Sequence, residues 1–201
     1  MSNTGNPDSA EGGPPGGKVR LETENFVLRS LEPEDVSDRF MSWIGNAALM
    51  ERLGTTAKPS RGRARRYLRE MDNATNFILG IFPRDTGALA GWIRIYHSPA
   101  HRRARLSILI GEKLYRGREN TGELQGAVHG FLFQTLRIHK AVAIVHGGDI
   151  HARRLAERCG YQLEVLLRDH ERASGGAWRD IAHYGLLESE WRAARGGAGG
   201  P

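Results

Sequence analysis

Arg116 and Arg118 stand in a short polar loop between two stretches of very different pattern. Before the loop, Leu106, Ser107, Ile108, Leu109 and Ile110 form a run rich in branched apolar residues and too short for a helix, which predicts a buried strand ending at Gly111. After it, from Asn120 onward, Leu124, Ala127, Val128, Phe131 and Leu132 recur at helical spacing. The first N–H groups of a helix lack intrahelical partners and carry the positive end of its dipole, so phosphate oxygens suit them. Two guanidinium groups beside them would add charge-assisted hydrogen bonds. The same pattern also fits a solvated connection between two core elements.

Composition narrows the chemistry. The chain has 201 residues, 39% hydrophobic and 26% charged, which suits one well-buried globular domain. No apolar run approaches membrane-spanning length, and the first residues lack the order of a signal peptide, so a cytoplasmic setting is expected. The single cysteine, Cys159, allows no internal disulfide and reads as a small core residue. Eight histidines are scattered without paired ligand spacing, so no metal site is expected. The net charge of +6 gathers in Arg-rich clusters at 61–69, 102–105, 116–118 and 153–154, which suits an anionic ligand. Nucleic acid is not expected as a partner, because no zinc finger, RNA-binding sheet motif or helix-turn-helix is legible.

The elements that would position these groups follow in order. Residues 1–18 and 195–201 are Gly-, Pro- and polar-rich and read as disordered tails around one domain at 19–194. Phe26–Ser30 reads as a strand, and Pro33 among acids starts a helix carrying Val36, Phe40, Trp43 and Ile44. A helix is predicted over Ser60–Met71. Strands Asn76–Phe82 and Leu89–Tyr96 flank a turn, and Ser98 to Arg105 makes another turn before the central strand. Beyond the central helix come strand Ala141–His146, a helix from Ile150 to Cys159 closed by Gly160, and strands Gln162–Arg168 and Asp180–Leu187 around Ser174, Gly175 and Gly176. The expectation is an α/β (α+β) domain. Its sheet is mixed and mostly antiparallel, with helices on both faces and a right-handed parallel crossover from Leu106 to Val145.

Four pieces carry a family resemblance: FVLRSLEPED near the start, the strand-loop-helix unit, DIHARRLAERCGY, and WRDIAHYGLLESEW. Together they resemble the GNAT superfamily of acyl-CoA N-acyltransferases, over nearly all of 19–191. The last two are most similar to the branch of ribosomal-protein N-terminal and amino-sugar acetyltransferases. The resemblance implies a V-shaped parallel splay at the sheet centre and acetyl-CoA as acyl donor. It also implies a donor site drawn from Leu109, Ile110, Gly111, Arg116, Gly117, Arg118, Glu119, Asn120, Thr121, Gly122, Asp149 and Arg153. The acceptor would be a small-molecule amine or a protein N-terminus, and a homodimer is left open.

The departures from the family pattern are specific. Glu119 and Thr121 occupy the two positions where the phosphate loop carries glycine, which lets the backbone approach a pyrophosphate closely. Asp149 stands where the family commonly has Asn, and Ala152 where it often has Ser. Ala156 replaces the Tyr that many members use to protonate the departing thiolate. These losses leave two other readings in view, an enzyme that takes its acyl group from a carrier protein and a non-catalytic binding module.

Transfer to an ammonium needs a base and a donor for the developing oxyanion. Glu112, just after the central strand, is the first candidate base, though it also reads as a surface charge at a strand end. His146 is the second. The family resemblance implies a backbone amide near Ile110 as the oxyanion donor. Tyr184 would serve as acid in place of the missing Tyr. His183 beside it must face the other side of the strand. Asp180 would orient an amine or a His, or merely pin the hairpin, and Trp43, Trp92 and Trp178 would line the acceptor cleft or simply pack in the core.

Overall fold

The structure, a computed structural model, describes residues 16–52, 60–116, 118–173 and 175–196. Among these, eight strands form one sheet: β1 (Arg20–Glu22), β2 (Phe26–Ser30), β3 (Asn76–Pro83), β4 (Gly91–Ser98), β5 (Arg103–Ile110), β6 (Lys140–His146), β7 (Gln162–Arg172) and β8 (Trp178–Leu187). Their order is β1-β2-β3-β4-β5-β6-β8-β7, and every pairing is antiparallel except β5 with β6. The helices are α1 (Asp38–Ile44), α2 (Ala47–Arg52), α3 (Arg61–Arg69), α4 (Arg118–Gly130), α5 (Ile150–Arg158) and α6 (Glu188–Gly196). None among the described residues is long and apolar enough to cross a membrane.

Alternation along the strands divides the core in two. Phe77, Leu79, Ile93, Ile95, Ala104 and Leu106 point to one face, where they meet Leu124, Val128 and Phe131 of α4 and its continuation. Ile78, Trp92 and Leu109 point to the other, where they meet Phe40, Trp43 and Ile44 of α1 and Ala64 and Leu68 of α3. Helices therefore cover both faces of a mixed sheet, the arrangement the residue pattern predicts.

Local signals explain several helix ends. Ser37 and Ser60 cap α1 and α3 by accepting from the N–H groups of Phe40 and Arg63. Pro33–Asp35 is a separate 3-10 turn instead of the first turn of α1, because Val36 and Ser37 break the helix between them. Gly160 has φ 87°, the left-handed conformation that glycine adopts without steric cost. After Gly130 the chain widens into a π-helical turn, Phe131–Thr135, whose Phe131, Leu132 and Phe133 are all buried.

A buried pair ties α4 to the chain after α5. His129 Nε2 lies 2.9 Å from the Tyr161 hydroxyl. Burial holds Tyr161 well above the usual phenol range, so its O–H is the donor, and burial pushes His129 down to about 4. The unfolded chain takes up a proton on this imidazole near pH 6.5 while the folded chain does not. The associated stability is present above pH 6.5 and is lost as pH falls towards about 4, on the order of 3 kcal/mol at most. Urea unfolding at pH 7 and pH 4.5 checks this. His129→Gln should start less stable and lose less on acidification than wild type; equal losses in the two proteins would contradict the assignment.

Candidate active site

The parallel pair of strands opens along its length. β4 and β5 stay paired from Ser98 and Arg103 to Gly91 and Ile110, whereas β5 and β6 pair only from Arg103 and Lys140 to Leu106 and Ala143. Gly111 and Glu112 both donate to the carbonyl of Ala90, at 2.9 and 3.1 Å, so two residues oppose one and the strand end bulges. Antiparallel residues alternate between hydrogen-bonded and non-bonded pairs. The bond from Gly111 to Ala90 therefore sets the N–H groups of Ile108 and Ile110 pointing away from β4. They face the V that β6 has vacated.

Two cavities meet at this V. One, of about 860 Å³, lies against α4 and α5 and takes in Leu109, Ile110, Arg116 and Thr121. The other, of about 830 Å³, lies under α1, α2 and α3 and takes in Phe40, Tyr67, Trp92 and His183. Leu106, Ser107, Ile144 and His146 line both. Among the described residues, His146 is the only titratable group that reaches the two sides.

The surroundings of His146 keep it neutral. Burial holds its pKa below the ordinary imidazole value and nearby Arg179 adds to this, while Glu171, Asp149 and Glu51 pull in the opposite direction. Arg179 bridges Glu51 of α2 at 2.9 Å and Glu171 of β7 at 3.1 Å, so the charges beside the imidazole are fixed by three elements. A neutral imidazole at a junction between two cavities can take a proton from a nucleophile entering on one side as it attacks a group held on the other.

No curated protein matches the chain in sequence. A family model described as "Acetyltransferase (GNAT) domain" matches residues 25–162, more than half of the chain. The chain belongs to the GNAT acetyltransferase family. It is an acyl-CoA-dependent acetyltransferase by that membership. Solved structures agree in fold. A GCN5-related N-acetyltransferase from Brucella melitensis superposes with a TM-score of 0.73 at 22% identity, covering 91% of this chain and 85% of that one. A spermidine N-acetyltransferase from Vibrio cholerae, solved with CoA and spermine, gives 0.76 at 20% identity over 84% and 98%. A third, from Vibrio cholerae and provisionally named a ribosomal-protein-serine acetyltransferase, gives 0.65 at 19% identity over 84% and 97%.

In this GNAT domain the cavity against α4 and α5 has the chemistry of an acyl-CoA site. Its helix α5 turns Arg154 and Arg158 towards it, with His151 on the same face at i, i+3 and i+7 spacing. Gln125 of α4 is only 7% exposed and its Oε1 has no hydrogen-bond partner among the described residues, leaving an acceptor for an amide N–H. The N–H groups of Ile108 and Ile110 supply donors along the V. Cations for phosphates, an extended row of donors and a buried acceptor together fit CoA.

The predicted donor residues divide. Leu109, Ile110, Arg116, Thr121 and Asp149 line this cavity. Arg116 donates from Nε to the Ile110 carbonyl at 2.8 Å and from a terminal nitrogen to the Gly111 carbonyl at 2.7 Å, so its guanidinium also ties down the end of β5. Gly111 packs under the Trp43 ring, where an added Cβ would come within 2.1 Å. Asp149 caps α5 by accepting from Ala152 N–H at 3.0 Å. Asn120 donates to the Tyr115 carbonyl, and a side chain at Gly122 would meet open space. Gly117 and the side chains of Arg118 and Glu119 lie outside the described residues. Arg153 turns away from the cavity, its Nε donating to the Tyr184 hydroxyl at 3.1 Å and another nitrogen to the Gly147 carbonyl.

The predicted catalytic residues divide as well. His146 stands at the junction. Glu112 lies 3.6 Å from Arg39 in a surface ion pair and lines neither cavity. Tyr184 is fully buried, its hydroxyl donating to Glu157 at 3.0 Å, while His183 beside it reaches the second cavity. Asp180 accepts from the Asp169 N–H and so pins the hairpin. Trp43 and Trp92 pack at 5.9 Å between ring centroids, and Trp92 lines the second cavity, whereas Trp178 is exposed. Among the described residues no cluster of three metal-binding side chains occurs.

If Arg154 and Arg158 hold phosphate oxygens, Arg154→Ala with Arg158→Ala should weaken acetyl-CoA binding by about 3 kcal/mol, or roughly a hundredfold, at about 1.5 kcal/mol for each charged hydrogen bond. Calorimetric titration reads the change. An unchanged affinity would remove the phosphates from this face of α5.

Proposed function

We propose that this protein transfers an acetyl group from acetyl-CoA to a primary amine by direct attack, with His146 as general base. The place of His146, which lines both cavities, supports this reading, and burial with Arg179 favours its neutral form. Acetyl-CoA would supply an activated thioester carbonyl. Ile108, Ile110 and Gln125 would align the donor's amide-bearing arm along the V, much as an added strand is held by main-chain bonds. The Ile110 N–H would donate to the carbonyl oxygen as negative charge develops there.

His146 would take the proton that the attacking nitrogen loses. The N–C bond forms, the C–S bond breaks, and the electron pair leaves with sulfur. A free thiol of the cysteine type has a pKa of about 8.5, so the departing thiolate needs no strong acid. That is consistent with Ala156 at the position where many relatives carry Tyr. The single Cys159, half-buried with its thiol pushed up by burial, is in keeping with a reducing cytoplasm and with no nucleophilic role.

An amine acceptor accords with the spermidine acetylation named for one Vibrio cholerae neighbour, and an N-terminal acceptor with the name of the other. Release of CoA thiol, followed with a thiol reagent while a mixed panel of amines and peptides is added with acetyl-CoA, tests the reaction. Amine-dependent release matched by acetylated product is expected. Tight acetyl-CoA binding with no acetylation of any amine or peptide would count against transfer to nitrogen.

A further inference from the structure

The second cavity contains a cationic feature that a simple amine cannot satisfy. Trp92, Arg94 and Tyr96 of β4 share the sheet face that carries Arg105 and Ser107 of β5, because each stands opposite its partner in the ladder. The Arg94 guanidinium lies over the Tyr96 ring at 4.0 Å and the Tyr67 ring at 4.8 Å. Arg105 lies over the same Tyr96 ring at 4.7 Å. Two permanent cations therefore converge on one aromatic ring. Neither has a carboxylate partner among the described residues, and the Nε of Arg94 is buried without an acceptor. The two carboxylates that do line the cavity, Glu70 and Glu171, are already paired with Arg66 and Arg179.

A buried donor with no acceptor is costly, and cation–π contacts with tyrosine offset only part of the desolvation of a guanidinium. An anion entering the cavity would complete the set. Along the sheet, Arg94 lies level with Ser107, and His146 is two strands away and further towards the open end of the V. A ligand whose anion rests on Arg94 and Arg105 thus presents its other end to the imidazole.

We infer that the acceptor is a small-molecule amine that also carries a carboxylate or a phosphate, with the anionic group on Arg94 and Arg105 and the amine at His146. This rests on the acetyltransferase reading. A polyamine, being all cation, is disfavoured by the same two guanidinium groups.

Matched probes test it on the CoA-loaded protein. Acetyl-CoA binding is measured first by calorimetry, and its failure would sink the acetyltransferase reading instead of this one. Glucosamine 6-phosphate is then compared with glucosamine, phenylalanine with phenethylamine, and spermidine is added alone; the first pair reports phosphate and the second carboxylate. The expected result is that the anionic member of at least one pair binds tenfold or more tightly than its neutral or cationic counterpart. Arg94→Gln and Arg105→Gln should each remove most of that preference, with acetyl-CoA affinity within twofold of wild type. Equal or weaker binding of both anionic members, or a preference untouched by both substitutions, would overturn the assignment.

Discussion

His146→Ala should lower kcat by two to four orders of magnitude, the range typical for loss of a positioned general base, with little change in acetyl-CoA affinity. The expectation follows from its position. It is the one titratable side chain shared by the two cavities among the described residues, at the strand end where β5 and β6 have separated. The pH profile adds a readout that a merely structural role would not give. Burial, reinforced by Arg179, keeps the pKa below the ordinary imidazole value, so the active neutral form persists to lower pH than for a free histidine. In wild type kcat/KM should fall on the acid side through a limb lying below that ordinary value. His146→Gln should lack the limb. A variant with wild-type turnover and an unchanged profile would exclude the residue as base.

Gly91→Ala should be the most damaging single methyl in the sheet. A Cβ at Gly91 would lie 2.1 Å from the Leu109 carbonyl oxygen and 3.0 Å from the Ile110 Cα, both backbone atoms of the neighbouring strand. No side-chain rotation relieves such a contact, so β4 and β5 must part where the bulge at Ala90 sets the Ile110 N–H. Overpacking costs about 1 to 3 kcal/mol where side chains yield, and more is expected here because backbone must move. Thermal unfolding should show a drop of roughly 10 °C or more, and the surviving folded fraction should bind acetyl-CoA at least tenfold more weakly. Wild-type stability and affinity together would show that the ladder accommodates the methyl and that its geometry is not critical.

The strand-loop-helix unit and the crossover were legible because their signals are local: a branched apolar run, a polar loop and apolar residues at 3.6-residue spacing. The short elements were not. β1 has three residues and α2 six, too few for any period to emerge. Arg102 to Arg105 reads as a turn by charge, yet β5 begins at Arg103 and alternates Arg103, Ala104, Arg105, Leu106 between outside and core. That period of two was present and was masked by the density of arginine. The turn itself is the preceding Pro99–His101 with Arg102 at φ 44°.

Within the site, the residue pattern leaves open which way each side chain faces. The rotation of α5, which packing decides, separates Arg153 from Arg154 and Arg158; the i, i+3, i+7 spacing of His151, Arg154 and Arg158 is the signal in the sequence. Tyr184 and His183 had to face opposite ways, but only the presence of a fully buried phenol shows which way. Gln125, a polar residue among Leu124 and Val128 on a helix face that packs inward, is an anomaly in the sequence and lines the cavity against α4 and α5. Glu112 follows the bulge at Ala90, a feature with no sequence mark, and pairs with Arg39, whereas His146 ends β6 at the V.

A donor held in the V between β5 and β6 must perturb the backbone that lines it. Amide chemical shifts of isotope-labelled protein, followed during titration with acetyl-CoA, test it at the atoms concerned. The largest changes are expected at the N–H groups of Ile108 and Ile110, with accompanying changes in the Gln125 side-chain amide and along α5. Binding whose shifts spare β5 and α5 and gather elsewhere, or no shifts at saturating ligand, would contradict it.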